Sequence, residues 1–291
     1  MLTLFTGGTR LKRVVFVTAA LLLLAPAAFA SPWITSLSVA QKKSKDTKQL
    51  IFVDFYADWC GWCHKMEQEV FPSQTFQNAT DKMVMLRLNT EDGADGTKLA
   101  QRYAISSLPT FIVITPDDMI AALIRGYAPA PDFVKTMNES LTKYGDFQKR
   151  VSQEASLAKD YQKRLDLARE FTQRFALPES ETRFKALTTE AGVPVDIRDQ
   201  AYYELAVSQI MQKKLDAAIK TVTAFSKVQK QGEAYERSRL LLGQAYMEQG
   251  NLLAATNELR RFKKTFPNSK LVGNVDMILP DLERRLAGNT K

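Results

Sequence analysis

Residues 53–64 read Val-Asp-Phe-Tyr-Ala-Asp-Trp-Cys-Gly-Trp-Cys-His, and they contain both cysteines of this 291-residue chain. Residues 51–56 are rich in β-branched and aromatic types, which predicts a buried strand. Residues 65–70 are good helix formers, which predicts a helix directly after the stretch. Cys60 and Cys63 are therefore expected at a strand-to-helix junction and on one helix face, where the two sulfurs can meet and form a disulfide.

The position of the two cysteines predicts dithiol–disulfide chemistry. Free backbone N–H groups at the start of a helix stabilise a thiolate, and the thiolate is the reactive form of cysteine. Cys60, nearer the helix start, is expected to be the attacking or attacked sulfur. Cys63, one turn further in, is expected to resolve the mixed disulfide. We expect no cofactor besides this redox-active disulfide, and no metal.

Other interpretations fit the same residues. The pattern Cys-x-x-Cys-His is also the attachment site of c-type haem, although such a site does not need the preceding strand. A zinc site needs about four ligands, whereas Cys60, Cys63 and His64, the only histidine of the chain, supply three. A purely structural disulfide is the third alternative.

A family resemblance extends beyond the cysteines. Over roughly residues 45–143 the chain resembles the thioredoxin superfamily. Asp54 matches the buried aspartate of that family, Trp59 matches the tryptophan before the first cysteine, and Arg87 stands where a lysine is usual. The resemblance implies that Asp54 is the proton acceptor for Cys63. An unpaired buried carboxylate is costly, which independently indicates a role for Asp54, and an ion pair with Arg87 is compatible with that role.

A second part of the resemblance follows later in the chain. Residues 103–110 resemble the stretch that contains the family's cis-proline, here Pro109, and Gly126 stands where a glycine follows the last hairpin. The resemblance implies that Pro109 places the backbone of Leu108 against the disulfide. Backbone groups there would remain free to pair with an extended substrate.

Departures from the family pattern lie around the cysteines. Gly61 and Trp62 separate the cysteines, His64 follows them, and about three extra residues lie between positions 89 and 103. Trp59 and Trp62 are candidates for lining a substrate groove, although Trp59 has packing as an alternative role. His64 either tunes the thiolate or simply faces water. The direction of electron flow stays open.

Hydrophobic periodicity gives the same fold class independently of the motif. An amphipathic helix over residues 32–45 precedes an order of strand, helix, strand, helix, strand, strand and helix. The predicted segments are strands 51–56 and 83–88, a helix 97–103, a hairpin of 111–115 with 120–125, and a closing helix 132–143 with Asp132 as N-cap. This predicts an α/β thioredoxin-like fold with a central mixed sheet.

After about residue 145 the strand signals end and helical periodicity continues to the C-terminus. Residues 242–267 resemble one tetratricopeptide repeat, with Leu242-Gly243, Tyr246, Ala255, Leu259 and Pro267 at the expected spacing. A weaker copy has Leu205-Ala206 and Ala218 with Val222, and Leu167-Ala168 with Phe171 begins a degenerate third. We therefore expect an all-α domain of repeat-like helical hairpins that binds a protein partner, with a plain helical bundle as the alternative.

The beginning of the chain predicts export. Arg10, Lys12 and Arg13 precede an apolar run over 14–25, and Ala28-Phe29-Ala30 has the small-x-small pattern of a cleavage site. We expect a signal peptide over 1–30, a thioredoxin-like domain over 31–145 and a helical domain over 146–291, in a periplasmic or secreted protein without a membrane span after cleavage.

The net charge of +8 comes mainly from the signal and the C-terminal half. A nucleic-acid face would need a concentrated basic surface with interleaved aromatics, and the only local basic cluster covers residues 260–264. Because the chain is expected to be exported, we expect a solvated helix surface there and no nucleic-acid partner.

Two functional hypotheses follow from these observations. The first is an exported thiol–disulfide oxidoreductase that acts on cysteine-containing proteins, exchanges electrons with a redox partner protein and recruits a partner through its helical domain. The second is a binding or assembly protein in which the helical repeats act and the thioredoxin-like domain is mainly a scaffold.

Overall fold

The computed structural model describes residues 33–288, so the predicted signal peptide lies outside the described residues. Four strands form one mixed sheet in the order β2-β1-β3-β4. β1 is parallel to β2 and antiparallel to β3, and β3 and β4 form an antiparallel hairpin. The strands are β1 Ile51–Tyr56, β2 Val84–Asn89, β3 Thr110–Ile114 and β4 Ile120–Arg125. The predicted mixed sheet is confirmed.

Helices cover both faces of this sheet. They are α1 Leu37–Thr47, α2 Gly61–Lys65, α3 Gln74–Thr80, α4 Asp95–Arg102 and α5 Ala130–Ser152. Side chains alternate along β1, so Phe52 joins an aromatic core under α3 and α5, while Val53 joins an aliphatic core under α1 and α4. Asp54 lies on the same side as Phe52, the side that faces the helical turn following α2.

The predicted N-terminal helix is wrong in its first residues. α1 begins at Leu37, and Ile34 instead pairs with β2, donating to the Met85 carbonyl at 2.9 Å and accepting from the Arg87 N–H at 2.9 Å. The edge of β2 otherwise has unpaired backbone groups, and this pairing satisfies two of them. Ala40 is buried against the sheet, whereas its neighbour Val39 is 54% exposed.

Two further details differ from the prediction. A π-helical turn, Met66–Val70, continues α2, and Pro72 separates it from α3. The N-cap of α5 is Pro129, so Asp132 lies within the first turn and is not the cap. α5 also continues past residue 143 to Ser152, so the predicted domain boundary at 145/146 falls inside one helix. We refer to residues 33–152 as the sheet region and to residues 153–288 as the helical region.

The helical region is all-α, as predicted. After a 3₁₀ turn, Glu154–Leu157, it comprises α6 Tyr161–Gln173, α7 Leu177–Thr189, α8 Val195–Met211, α9 Leu215–Val228, α10 Glu233–Glu248, α11 Leu252–Thr265 and α12 Val272–Gly288. In the predicted basic cluster, Arg260 and Lys263 form ion pairs with Glu283 and Asp276 of α12. None of the helices within residues 33–288 is long and apolar enough to cross a bilayer.

Successive helices of this region pack closely against one another. Ala206 of α8, Val222 of α9 and Leu242 of α10 share one buried cluster. At Gly243 of α10, an added Cβ would lie 2.8 Å from the Leu259 Cδ2 atom of α11. These contacts fall at the positions used for the repeat resemblance, and the assignment to tetratricopeptide repeats stays a prediction.

Replacing Gly243 with alanine should lower the free energy of unfolding by about 1–2 kcal/mol, because the new methyl group overpacks the α10–α11 seam and the helix-propensity gain offsets only part of that cost. The measurement is a urea titration of the full chain. In a double-mutant cycle, Gly243→Ala should cost less in a Leu259→Ala background than in the parent, because the side chain that the new methyl group meets is then absent. An unchanged or higher stability of Gly243→Ala alone would contradict the close approach.

The helical region contacts the start of the edge strand β4. The Ile120 N–H donates to the Arg174 carbonyl at 2.9 Å, and the Arg174 guanidinium donates to the Ile120 carbonyl at 3.1 Å. Phe175 meets the ring of Tyr103 edge to face, with centroids 5.4 Å apart. An open strand edge is a site of aggregation, and here the helical region satisfies the backbone groups of Ile120 at the start of that edge.

Candidate active site

The two cysteines lie where the sequence predicts. Cys60 is the N-cap of α2 and Cys63 lies in its first turn. They form a disulfide, with Cα atoms 5.2 Å apart. Both residues are buried, with 3% of Cys60 and 2% of Cys63 exposed, so overall exposure does not distinguish the two sulfurs.

Hydrogen bonding does distinguish them. The Cys63 backbone N–H donates to the Cys60 sulfur at 3.2 Å. The Cys60 carbonyl accepts from the N–H groups of Cys63 and His64, at 3.0 and 3.2 Å, which holds the turn in place. A donor aimed at Cys60 Sγ favours its charged form when the disulfide opens. The assignment of Cys60 as the attacking sulfur stays a prediction, supported by this contact.

Asp54 is a buried carboxyl group on β1, with 1% of the residue exposed. Burial raises its pKa to about 7, because the low-dielectric interior disfavours the charged form; the positive charge of Arg87 opposes this and the negative charge of Glu67 adds to it. Among the described residues no group donates a hydrogen bond to either Asp54 oxygen. The carboxyl group is therefore poised to gain or lose a proton near neutral pH.

Arg87 connects Asp54 to a residue that the sequence analysis did not single out. β2 pairs in register with β1, which places Arg87 beside Asp54, with Nε 3.1 Å from Oδ2. The geometry is that of an ion pair without an aligned hydrogen bond. The other end of the guanidinium donates to Glu67, and its Cζ atom lies 4.2 Å from the centre of the Tyr56 ring. The predicted Asp54–Arg87 pair is present, and Glu67 shares its cation.

His64 extends the same chain of charged groups. Its Nε2 lies 2.9 Å from the Asp58 carbonyl oxygen, and its Nδ1 lies 3.5 Å from Glu67 Oε2. The Asp58 carbonyl and then Glu67 raise the pKa of His64, while hydrogen bonding from Arg87 lowers that of Glu67. Its side chain is 49% exposed, so His64 both reaches solvent and binds the protein.

The remaining predicted residues surround the disulfide. Trp59 and Trp62 are 69% and 57% exposed, so the alternative that Trp59 simply packs is wrong. No atom lies within 4 Å of a Cβ placed at Gly61. The Leu108–Pro109 bond is cis, and the Pro109 carbonyl accepts from the Gly126 N–H at 2.9 Å.

Sequence analysis missed Glu67 and Tyr127. Glu67 follows His64 by three residues on a helix, and this spacing was a usable signal for the pair. The ring of Tyr127 stacks on Trp62 with centroids 5.3 Å apart, a contact between distant segments for which the sequence offers no signal.

Comparisons with known proteins find thioredoxin-like relatives of the sheet region. A family model of the thioredoxin-like domain matches residues 37–141. A thioredoxin-like protein of Fusarium culmorum is 30% identical over 124 residues, which cover 41% of this chain and 95% of that protein. Among solved structures, a DsbH oxidoreductase aligns with 47% of this chain and 95% of its own, at 18% identity and a TM-score of 0.34.

Another relative is much longer than the matched region. The thiol:disulfide interchange protein DsbD of Pseudomonas fluorescens is 40% identical over 70 residues, which are 24% of this chain and 12% of that protein. This chain therefore matches only about an eighth of the length of that DsbD protein.

Proposed function

Because this chain belongs to the thioredoxin-like family, we propose that it is a thiol–disulfide oxidoreductase that exchanges disulfides with protein cysteines through Cys60 and Cys63. The observation that carries the proposal is the disulfide at the N-terminus of α2 together with a buried carboxyl group, with a pKa of about 7, on the strand that leads into it. A structural disulfide has no need of such a proton-transfer group.

The reaction of the oxidised form proceeds in two exchanges. A substrate thiolate attacks Cys60 Sγ, the Cys60–Cys63 bond breaks, and its electron pair passes to Cys63 Sγ, which is protonated by Asp54. A second substrate thiolate then attacks the substrate sulfur of the mixed disulfide and releases Cys60 as a thiolate. The substrate is oxidised by two electrons and the protein is reduced by two. The reverse sequence reduces a substrate disulfide, with Asp54 accepting the proton of Cys63.

The other parts of the proposal rest on the sequence. The basic residues and apolar run before Ala30 support export to the periplasm or outside the cell, where protein disulfides form. The stacked helices α6–α12 support a role in holding a protein partner. A redox partner protein that restores the cysteine pair after each turnover is part of the same proposal.

The test compares the parent with Cys60→Ser and Cys63→Ser variants of the full chain. The parent should catalyse disulfide exchange in a protein substrate, and Cys60→Ser should lose this activity completely. In the direction that reduces substrate, Cys63→Ser should accumulate mixed disulfides with the substrate, because the thiol that attacks Cys60 of the mixed disulfide is missing. Full activity or an unchanged biological effect of Cys60→Ser would favour the alternative in which the protein is a scaffold.

The direction of electron flow follows from the equilibrium reduction potential of the pair in defined thiol buffers. A value near about −270 mV would mark a reductant, and a value near about −120 mV an oxidant.

A further inference from the structure

Two large aromatic side chains beside the disulfide are exposed to solvent. In the sheet region, Trp59, Trp62 and Val39 are the large apolar residues with more than half of their surface exposed. Trp59 directly precedes Cys60, and Trp62 lies between the cysteines. Exposed apolar surface of this size at a reactive group indicates contact with a partner molecule.

Trp62 belongs to a charge-neutral aromatic surface that we name the aromatic shelf, formed by Trp62 and Tyr127. The two rings stack at 30° with centroids 5.3 Å apart. Lys65 Nζ lies 5.5 Å from the centre of the Trp62 ring and 4.7 Å from that of the Tyr127 ring. It also lies 3.8 Å from Glu69, which accepts a hydrogen bond from the Tyr127 hydroxyl. The lysine charge is thus compensated, and the shelf presents ring surface to an apolar side chain.

The shelf adjoins the loop that contains the cis-proline. Tyr127 follows Gly126, whose N–H donates to the Pro109 carbonyl at 2.9 Å. The active-site turn, the cis-proline loop and the end of β4 therefore form one rim around the disulfide. A side chain next to a substrate cysteine at Cys60 would lie within reach of this rim.

The opposite side of the rim has a different chemistry. Trp59 Nε1 donates to Glu91 at 2.8 Å, and the Asn89 amide donates to Asp58 at 3.3 Å. Within residues 33–288 neither Asp58 nor Glu91 forms an ion pair, and His64 contacts the carbonyl rather than the carboxylate of Asp58. We name Asp58 and Glu91 the acidic rim. An exposed indole beside two uncompensated carboxylates is a favourable site for a lysine or arginine side chain.

On the basis of the proposed function, we infer that the aromatic shelf and the acidic rim together select protein segments. In these segments the reactive cysteine lies between a large apolar or aromatic residue and a basic residue. The apolar side chain packs on the aromatic shelf, and the basic side chain lies over Trp59 against the acidic rim. Tyr127 and Glu91 are then specificity-determining residues of the exchange reaction.

The test uses the reduced full-length protein and short peptides whose single cysteine is held as a mixed disulfide with glutathione. The residues flanking the cysteine are Phe and Lys, Phe and Glu, Ser and Lys, or Ser and Glu, each in both orders. The second-order rate of peptide release is divided by the rate at which dithiothreitol reduces the same oxidised protein. This ratio should be about fivefold higher for peptides with Phe than with Ser, and about fivefold higher for peptides with Lys than with Glu.

Variants should separate the two preferences. Tyr127→Ser should abolish the preference for Phe and keep that for Lys, whereas Glu91→Gln should weaken the preference for Lys and keep that for Phe. Trp62→Ser, at an exposed position, provides a second shelf variant should Tyr127→Ser misfold, and Lys82→Gln, an exposed residue elsewhere, is the control. High salt should reduce only the preference for Lys, because screening acts on charges.

The inference and the proposed function fail in different ways. Equal rates for all peptides, or a parallel loss of both preferences in both variants, would overturn the selective rim while leaving thiol–disulfide exchange intact. No reaction of the parent with any peptide or with dithiothreitol would instead refute the proposed function.

Discussion

Replacing Asp54 with asparagine should make the oxidised protein more stable above neutral pH. The folded protein binds the Asp54 proton more tightly than the unfolded chain, because burial raises the pKa from 3.8 to about 7. The parent therefore loses stability as the pH rises through this interval, and the asparagine variant has no such proton to lose. Three pKa units correspond to about 4 kcal/mol.

The removal of Asp54 leaves Arg87 with a partner, since Glu67 still accepts from its guanidinium. Removal of the buried Asp54 carboxylate is thus not expected to leave the Arg87 guanidinium as an uncompensated buried charge. Urea titrations at about pH 4 and about pH 8 should show a difference between variant and parent that grows by up to about 4 kcal/mol toward the higher pH. Asp81→Asn, at an exposed carboxylate after α3, is the matched control and should show no such change. A pH-independent difference at Asp54 would refute the raised pKa.

The same substitution should slow disulfide exchange by about 100-fold, because positioned acid–base groups contribute that order of rate. In the direction that reduces substrate, the parent rate should rise with pH through an apparent pKa near 7 as Asp54 ionises, and Asp54→Asn should lack this step. A gain in stability with a loss of activity is expected when a buried group is retained for chemistry. An unchanged pH profile would remove Asp54 from the mechanism.

Replacing Gly96 with alanine should have the largest structural effect of any single added methyl group in the sheet region. A Cβ at Gly96, in the first turn of α4, would lie 1.8 Å from the Asn89 carbonyl oxygen and 2.7 Å from its carbon. Both are backbone atoms at the end of β2, so the clash moves a helix or a strand rather than a flexible side chain. We expect a loss of about 3 kcal/mol or more in the free energy of unfolding.

Gly145 provides the matched control for this prediction. It lies inside α5, and an added Cβ has no atom within 4 Å. Alanine is favoured over glycine within a helix, so Gly145→Ala should raise the free energy of unfolding by about 0.5–1 kcal/mol. Urea titration of both variants measures the two changes in the free energy of unfolding. A Gly96→Ala protein as stable as the parent would show that α4 and β2 are not in the described contact.

Gly96 is connected to the redox site by the hydrogen bonds of Asn89 and Glu91. Asn89 ends β2 and donates to Asp58, and the N–H of Glu91 donates to the Asn89 side chain. Glu91 of the acidic rim belongs to this segment, which is about three residues longer than the family pattern. Displacement of Asn89 in Gly96→Ala should therefore disturb the position of Trp59, which hydrogen-bonds to Glu91.

The sheet region and the helical region contact each other, which the predicted domain boundary did not anticipate. The predicted boundary at 145/146 falls within α5, and Arg174 and Phe175 of the helical region contact β4 and Tyr103. The last strand ends at Arg125, and the contacts between the two regions involve residues well beyond residue 145. A role of the helical region in stabilising the sheet is therefore compatible with its proposed role in holding a partner.

The sequence by itself determined the features that depend on local patterns. The strand over 51–56, the hairpin after Pro109, the helix start at Cys60 and the all-α nature of the region after residue 152 are all confirmed. They could be predicted because side-chain periodicity and turn residues act over a few positions. The family resemblance added the expectation of a cis bond at Pro109, which the structure contains.

Only the tertiary structure decided which distant residues meet. Ile34 joins β2 rather than a helix because the sheet edge offers hydrogen bonds that a short helix end does not. Glu67 shares Arg87 with Asp54 because in-register pairing of β1 with β2 places Arg87 below the turn after α2. Tyr127 reaches Trp62 because the end of β4 lies beside the active-site turn. Such contacts depend on register, on the packing of helices against the sheet and on burial, none of which a local pattern specifies.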